Sequence, residues 1–168
     1  MEPEENGDTF TANAVIKAEA AAAHTGRMSL ADDSGLQVDA LLGGPGIYSA
    51  RYAGPGADAA ARNRKLIQEL AGVPWELRQA RFVCAIALAI PGEQTWTAQG
   101  VHEGYILETV PEIGGFGYDP VFYSPELGAT FAAVALEQKN AVSHRARALA
   151  QLNQYLQQIS CTQAGDAY

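Results

Sequence analysis

Two carboxylates stand side by side in Ala31-Asp32-Asp33-Ser34-Gly35, directly after the apolar run from Met28 to Ala31. Adjacent acids repel each other and gain little from shared burial. Two arrangements accommodate them: a solvated Asx-type turn after a strand, or a site where a cation or proton relay uses the pair. Three further groups have the chemistry to join such a site. Lys17 follows Asn13 by one helical turn, either as a surface lysine or as a point charge for phosphate. In Gly114-Gly115-Phe116-Gly117-Tyr118-Asp119-Pro120 the glycines allow a backbone to approach a flat ligand, and Phe116 or Tyr118 could stack on it. The other reading of that stretch is a tight loop closed by aromatics. Ser143-His144-Arg145 sets two basic residues in the first turn of a helix, where the macrodipole disfavours cations. Arg145 lies four residues before Leu149, so it leans to the core side and there needs an anion or carbonyl partner.

The elements that must hold these residues are readable from pattern. Asp8 is placed to cap a helix over about Thr9 to Thr25, stopped by Gly26. Its middle is nearly all alanine, so it is thin and suited to close packing on a sheet. Phe10, Asn13, Lys17 and Ala21 share one side. Met28–Ala31 and Leu36–Ala40 read as short extended pieces flanking the acidic turn, followed by a loop at Gly43-Gly44-Pro45-Gly46. Arg51 lies between Tyr48 and Tyr52, as a contact surface or a cation–π cluster. A second helix spans about Asp58 to Ala71. Arg81–Ile90 is the clearest strand, with Phe82, Cys84, Ile86, Leu88 and Ile90 on one face and Val83, Ala85, Ala87 and Ala89 on the other. Both faces are apolar, which predicts a central strand covered on both sides. Thr95–Gln99 and His102–Leu107 read as further strands, antiparallel because the links are short. The glycine run at 114–117 leads into the strand Val121-Phe122-Tyr123. A Rossmann or P-loop glycine run must open a helix, so both are rejected. Ser143 is placed to cap a last helix to about Ile159, with Leu149, Leu152, Leu156 and Ile159 as its core stripe.

Composition bounds the function. The 168 residues fit one domain, expected over 1–160 with a loose tail at 161–168, and 48% hydrophobic with 18% charged residues is an ordinary globular balance. A net charge of −8 argues against a broad nucleic-acid footprint. No apolar run reaches the length of a membrane span, and the polar start Met1–Gly7 does not read as a secretory signal. Cys84 and Cys161 lack metal-ligand spacing, which predicts free thiols in a reducing cytoplasm.

Taken together, these stretches resemble the inosine triphosphate pyrophosphatase family, which hydrolyses non-standard purine nucleoside triphosphates such as ITP, dITP and XTP. The carriers are Gly7-Asp8-Thr9-Phe10 with Asn13, Ala14 and Lys17; Ala31 to Leu36; Gly46 to Tyr52; Gly114 to Pro120; Lys139; and Ser143-His144-Arg145. The resemblance covers Glu4 to about Leu156. It implies an α/β fold with a long mixed sheet between helices, a three-layer α/β/α arrangement, a homodimer, and Mg²⁺-dependent cleavage to the monophosphate and pyrophosphate. Position by position, Asp33 resembles the proton acceptor and a metal ligand, and Glu4 or Glu5 the second metal carboxylate. Ser34, Lys17 and Lys139 resemble substrate contacts. Phe116, Gly117, Tyr118 and Asp119 with His144 and Arg145 resemble the base pocket. The family's first strand and Thr-Gly-Asn-x-x-Lys loop precede the stretch matched here, so Lys17, Lys139 and Arg51 are the cations expected to serve the triphosphate, with weak binding and slow turnover.

The chemistry is coherent on its own terms. Phosphoanhydride hydrolysis needs charge neutralisation and a placed water. Magnesium takes oxygen ligands, one or two of them carboxylates. Donors from His144 and Arg145 suit a purine 6-oxo group, and a 6-amino group would leave them unpaired. Two other classes compete: a purine-nucleotide-binding dimer without turnover, and a dimeric aspartic protease using Asp33-Ser34-Gly35.

Overall fold

The alanines of the first helix meet the alanines of the central strand. In the computed structural model, which describes the backbone of residues 5–165 and side chains as far as 160, α1 (Phe10–Thr25) buries Phe10, Ala14, Ala18 and Ala22 against Val83, Ala85, Ala87 and Ala89. Small side chains on both surfaces allow close approach, as the alternating pattern of the strand predicts. The cap is Thr9 rather than Asp8: its hydroxyl accepts from the Ala12 amide, and Gly26 ends the helix at φ +65°. Ala21 faces solvent, so the buried stripe runs beside Asn13 and Lys17 rather than through Ala21.

Five strands follow: β1 (Ser29–Val38), β2 (Gln79–Ala89), β3 (Trp96–Ile106), β4 (Phe122–Ser124) and β5 (Ala129–Thr130). They lie side by side in chain order, and each described pairing is antiparallel. The mixed character expected of the sheet is therefore not seen among the described residues. Between β1 and β2 the chain makes a 3₁₀ turn over Gly46–Arg51 and the helix α2 (Ala59–Glu69), capped by Asp58. Arg51 lies 5.0 Å above the Tyr48 ring, the cation–π arrangement.

Two stretches read as broken are continuous. The acidic turn is not a turn: Asp32, Asp33 and Ser34 lie inside β1, paired with Ile86, Ala85 and Cys84. Successive strand residues point to opposite faces, so the adjacent acids separate without a bend. Likewise 95–99 and 102–107 merge into β3 across Gly100.

The other face of the sheet carries α3 (Leu136–Val142), which the sequence pattern did not suggest, and α4 (His144–Gly165). The α4 backbone continues through Gly165, beyond the tail boundary set at 161, because no proline or glycine interrupts its ladder before that point. Ser143 caps it, accepting from the Ala146 amide at 3.2 Å. Ala148 and Leu152 pack on Cys84, Ile86 and Leu88, so helices cover β2 on both sides in three layers. A second core of Leu36, Val38, Phe82, Phe122 and Phe131 lies under α2 and the loop at 118–121.

Gly100 sets how closely α4 approaches. A Cβ there would lie inside van der Waals contact of the His144 carbonyl oxygen and the Ala148 amide nitrogen, both backbone atoms. Gly100→Ala is accordingly expected to destabilise the protein by about 3 kcal/mol or more. Urea denaturation measures this, and a midpoint close to the parent's would mean that α4 can move away from β3 at little cost.

Candidate active site

The alternation of β1 divides the acidic pair between two environments. Asp33 faces α1. Its Oδ1 accepts from Lys17 Nζ at 2.9 Å and its Oδ2 from Asn13 Nδ2 at 3.3 Å. Asn13 is itself fixed, since its Oδ1 accepts from the Gly7 amide at 2.9 Å. Lys17 also lies 3.3 Å from Glu5. Burial alone would lower the Lys17 pKa, but Asp33 and Glu5 outweigh it and the net shift is upward. Glu4, the other acid of the sequence reading, lies outside the described residues.

Asp32 and Ser34 face α4. Asp32 Oδ2 accepts from Arg145 at 2.9 Å and from Ser34 Oγ at 3.2 Å. Burial would raise the Asp32 pKa, but Arg145 prevails and lowers it. Arg145 is therefore not turned to the core. Its side chain is 53% exposed, and its anion partner is Asp32 at the rim of a cleft. His144 takes the inward position, stacked on Phe82 with 5.0 Å between centroids. Leu149 is likewise no core residue: it is exposed and lines the cleft, while Leu152 carries the packing.

That cleft, about 640 Å³, collects Ser34, Phe116, Gly117, Tyr118, Asp119, Lys139, His144 and Arg145. Its size is that of a small-molecule pocket. Phe116 is 85% exposed, and its flat ring lines the cleft. Tyr118 is buried and donates to the Ser49 carbonyl at 2.8 Å. Lys139 Nζ donates to Asp119, and burial pushes the Asp119 carboxyl up although Lys139 opposes the shift. Seven of the residues named from the sequence thus converge with Ser34. Glu5, Lys17 and Asp33 form a separate group on the α1 face of the same strand.

Two supports went unread. Asn63 in α2 donates to the Gly117 carbonyl at 3.1 Å, which holds the aromatic loop at its left-handed glycine. Ser49 takes the Leu36 amide at 2.9 Å and donates to the Gly46 carbonyl at 2.6 Å. The local sequence around Asn63 carries no signal of this role, because its partner lies 54 residues away. Ser49 sits inside a stretch whose visible pattern is an arginine between aromatics, which hides a serine acting on the backbone of Leu36 and Gly46. The protease reading fails on geometry, since Asp33 lies mid-strand in an ion pair with Lys17 and not in a turn free to share a proton with a second carboxyl.

His144 is the unusual group. It is 8% exposed, and its Nδ1 has no hydrogen-bond partner among the described residues. Burial, reinforced by Arg145 and Lys139, depresses its pKa from 6.5 to about 3. Between those values the unfolded chain binds a proton that the folded site refuses. Stability is therefore complete above pH 6.5 and falls as pH drops toward 3. From pH 7 to 5 the parent should lose about 2 kcal/mol more than His144→Phe. Urea titrations at the two pH values check this, and equal losses would place the imidazole in a protonated or solvated state.

The Ham1 family model matches residues 1–155 of the chain. The dITP/XTP pyrophosphatase of Geobacillus kaustophilus is 54% identical over 155 residues, covering 92% of this chain and 76% of that protein. That of Geobacter sulfurreducens is 56% identical, covering 92% and 78%. Among solved structures, the Staphylococcus aureus Ham1 protein superposes with a TM-score of 0.89 at 43% identity, covering 94% of this chain and 81% of that one. The Coxiella burnetii HAM1 protein gives 0.88 at the same identity, with the same coverage of each chain. With the family model spanning most of its length and relatives above half identity, the chain belongs to the Ham1 family.

Proposed function

We propose that this protein hydrolyses non-standard purine nucleoside triphosphates, ITP, dITP and XTP, to the monophosphate and pyrophosphate. The observation that carries the reading is the placement of two groups on opposite faces of one edge strand. Asp33 and Lys17 lie on the α1 face of β1, and the aromatic cleft opens on the α4 face. A nucleotide spanning β1 would have its base in the cleft and its phosphates beside Asp33. The relatives are named dITP/XTP pyrophosphatases, which supports the activity proposed here.

In the cleft, Phe116 offers a stacking face to the purine. The neutral His144 and the Arg145 guanidinium present polar atoms to the base edge. Arg145 and an N–H of the imidazole suit a 6-oxo group, whereas a 6-amino group would meet donors with its own donors. On the other face, Lys17 is the mobile cation. When phosphate oxygens arrive they can draw its ammonium from Asp33. The freed carboxylate then accepts a proton from the attacking water. The water oxygen bonds to the α-phosphorus as the bridging oxygen leaves with pyrophosphate.

The residues present fit Mg²⁺. Glu5 and Asp33 converge within 3.3 and 2.9 Å of one ammonium, which marks a point where two carboxylates share a positive charge. The donors are oxygen only, and magnesium takes one or two protein carboxylates with the rest from phosphate and water. Glu5 and Asp33, with Glu4 as the other possibility from sequence, would hold the ion, and it would supply charge neutralisation to the phosphates. We also read the protein as a cytoplasmic homodimer. Exposed Leu42 and Tyr48 support a protein contact, and no described helix is long and apolar enough to cross a membrane.

Asp33→Asn should lower pyrophosphate release from ITP by at least about 10²–10⁴-fold, since the base is lost, and leave the unfolding midpoint near the parent's. Near-parental turnover would remove Asp33 from the chemistry. A parent whose turnover survives EDTA would remove the metal. Arg145→Ala should cut kcat/KM for ITP and XTP by about tenfold or more, as expected for lost polar contacts to the base, with little change for ATP. An equal fractional loss on all three nucleotides would assign Arg145 to the phosphates.

A further inference from the structure

We propose that His102 is a positioning residue for this cleft: by hydrogen-bonding the Val142 carbonyl it sets the corner between α3 and α4, and with it the places of Lys139, His144 and Arg145. The proposal rests on the reading that these three groups meet the nucleotide.

His102 lies in β3 opposite Phe82 and is 1% exposed. Its Nδ1 is 2.9 Å from the Val142 carbonyl and its Nε2 2.8 Å from Ser124 Oγ. A carbonyl can only accept, so Nδ1 carries the proton and Nε2 accepts from the Ser124 hydroxyl. The Ser124 oxygen in turn accepts from the Leu127 amide at 3.2 Å. The chain of bonds is complete for a neutral ring, walled by Phe131 at 4.8 Å and Phe122 at 6.0 Å. Outside this wall, Glu126 lies 3.6 Å from Nδ1 and is itself held by Arg147 at 2.6 Å.

The bond falls at a corner that matters. Val142 ends α3, and the next residue, extended at φ −61° and ψ 156°, caps α4. One turn back in α3 is Lys139, whose carbonyl accepts the Ser143 amide at 2.9 Å. One and two residues forward are His144 and Arg145. Two positions before His102 on the same strand face, Gly100 admits the first turn of α4. One strand therefore supplies both the space for the helix start and the bond that fixes its entry. Arg147 ties α4 to the Val101 carbonyl at 2.8 Å, but one turn further along. Pocket groups need placement to within a fraction of an ångström, and a shift of about 1 Å can cost on the order of 10²-fold.

The test compares His102→Asn, whose amide can reach the place of Nδ1, with His102→Gln, whose amide reaches that of Nε2, and His102→Phe, which keeps volume and neither bond. The readouts are ITP over ATP discrimination in kcat/KM, calorimetric binding of both nucleotides, and the unfolding midpoint. The Phe and Gln variants should lose about tenfold in discrimination, through KM more than kcat because Asp33 lies on the other face. Asn should keep most of it, although its midpoint falls too. Midpoints that fall while discrimination holds in every variant would overturn the proposal and leave His102 structural, and so would equal losses for Asn and Gln. If His102→Phe does not fold, the Asn–Gln comparison decides alone. A parent that discriminates in neither turnover nor binding would overturn the purine reading and the proposal with it. A discriminating parent with indifferent variants would overturn the proposal only.

Discussion

The register of β1 on β2 governs the site. Ten consecutive pairs, from Ser29 with Ala89 to Val38 with Ala80, fix which face each β1 side chain takes. A slip of one residue would exchange the faces. Asp33 would then meet Arg145 and the cleft, and Asp32 would meet Lys17. The register is held by burial on both sides. Leu36 and Val38 belong to the core beside Phe82, and Gly35 leaves no room for a side chain, since a Cβ would stand 2.6 Å from Ser49 Oγ and 2.8 Å from the Phe10 ring. A strand so constrained can carry two adjacent acids because each has its own surroundings.

Small residues then set the distances. Ala14, Ala18 and Ala22 bring α1 onto the alanines of β2, which delivers Asn13 and Lys17 to Asp33. On the other face Gly100 brings α4 down, which delivers His144 onto Phe82 and Arg145 to Asp32. Both helices are located by what the sheet lacks. Polar bonds then aim the side chains that the close packing has brought near.

Charge follows the same economy. The chain carries −8 overall, yet each acid of the site holds a cation: Asp33 with Lys17, Asp32 with Arg145, Asp119 with Lys139. An incoming polyphosphate would meet these cations against local carboxylates, so binding is an exchange of partners rather than a simple attraction. Half-exposed pairs such as Asp32 with Arg145 contribute only roughly 0–1 kcal/mol to stability, so such an exchange costs the fold little.

Much of this was legible in sequence. Composition and alternation gave a central strand covered on both faces, with the alanine face for a thin helix, because burial leaves a period in the residues themselves. Asp33, Phe116–Asp119 and His144-Arg145 were legible as chemistry out of place: paired acids, glycines before aromatics, cations in a first helical turn. Lys17 stood out only by its helical spacing from Asn13, and Ser34 and Lys139 only through the family resemblance. The sequence could not determine that the acids part across a strand. A local reading of charge repulsion suggested a turn, and only the ladder with β2 shows otherwise. Helical spacing to Leu149 pointed Arg145 inward, and that was wrong: Leu149 is itself exposed, Phe82 takes His144 as the inward group, and Asp32 holds Arg145 at the rim. His102 and Asn63 were invisible for the same reason: each acts through a backbone carbonyl about 40 to 54 residues away, and such contacts exist only once the chain has folded.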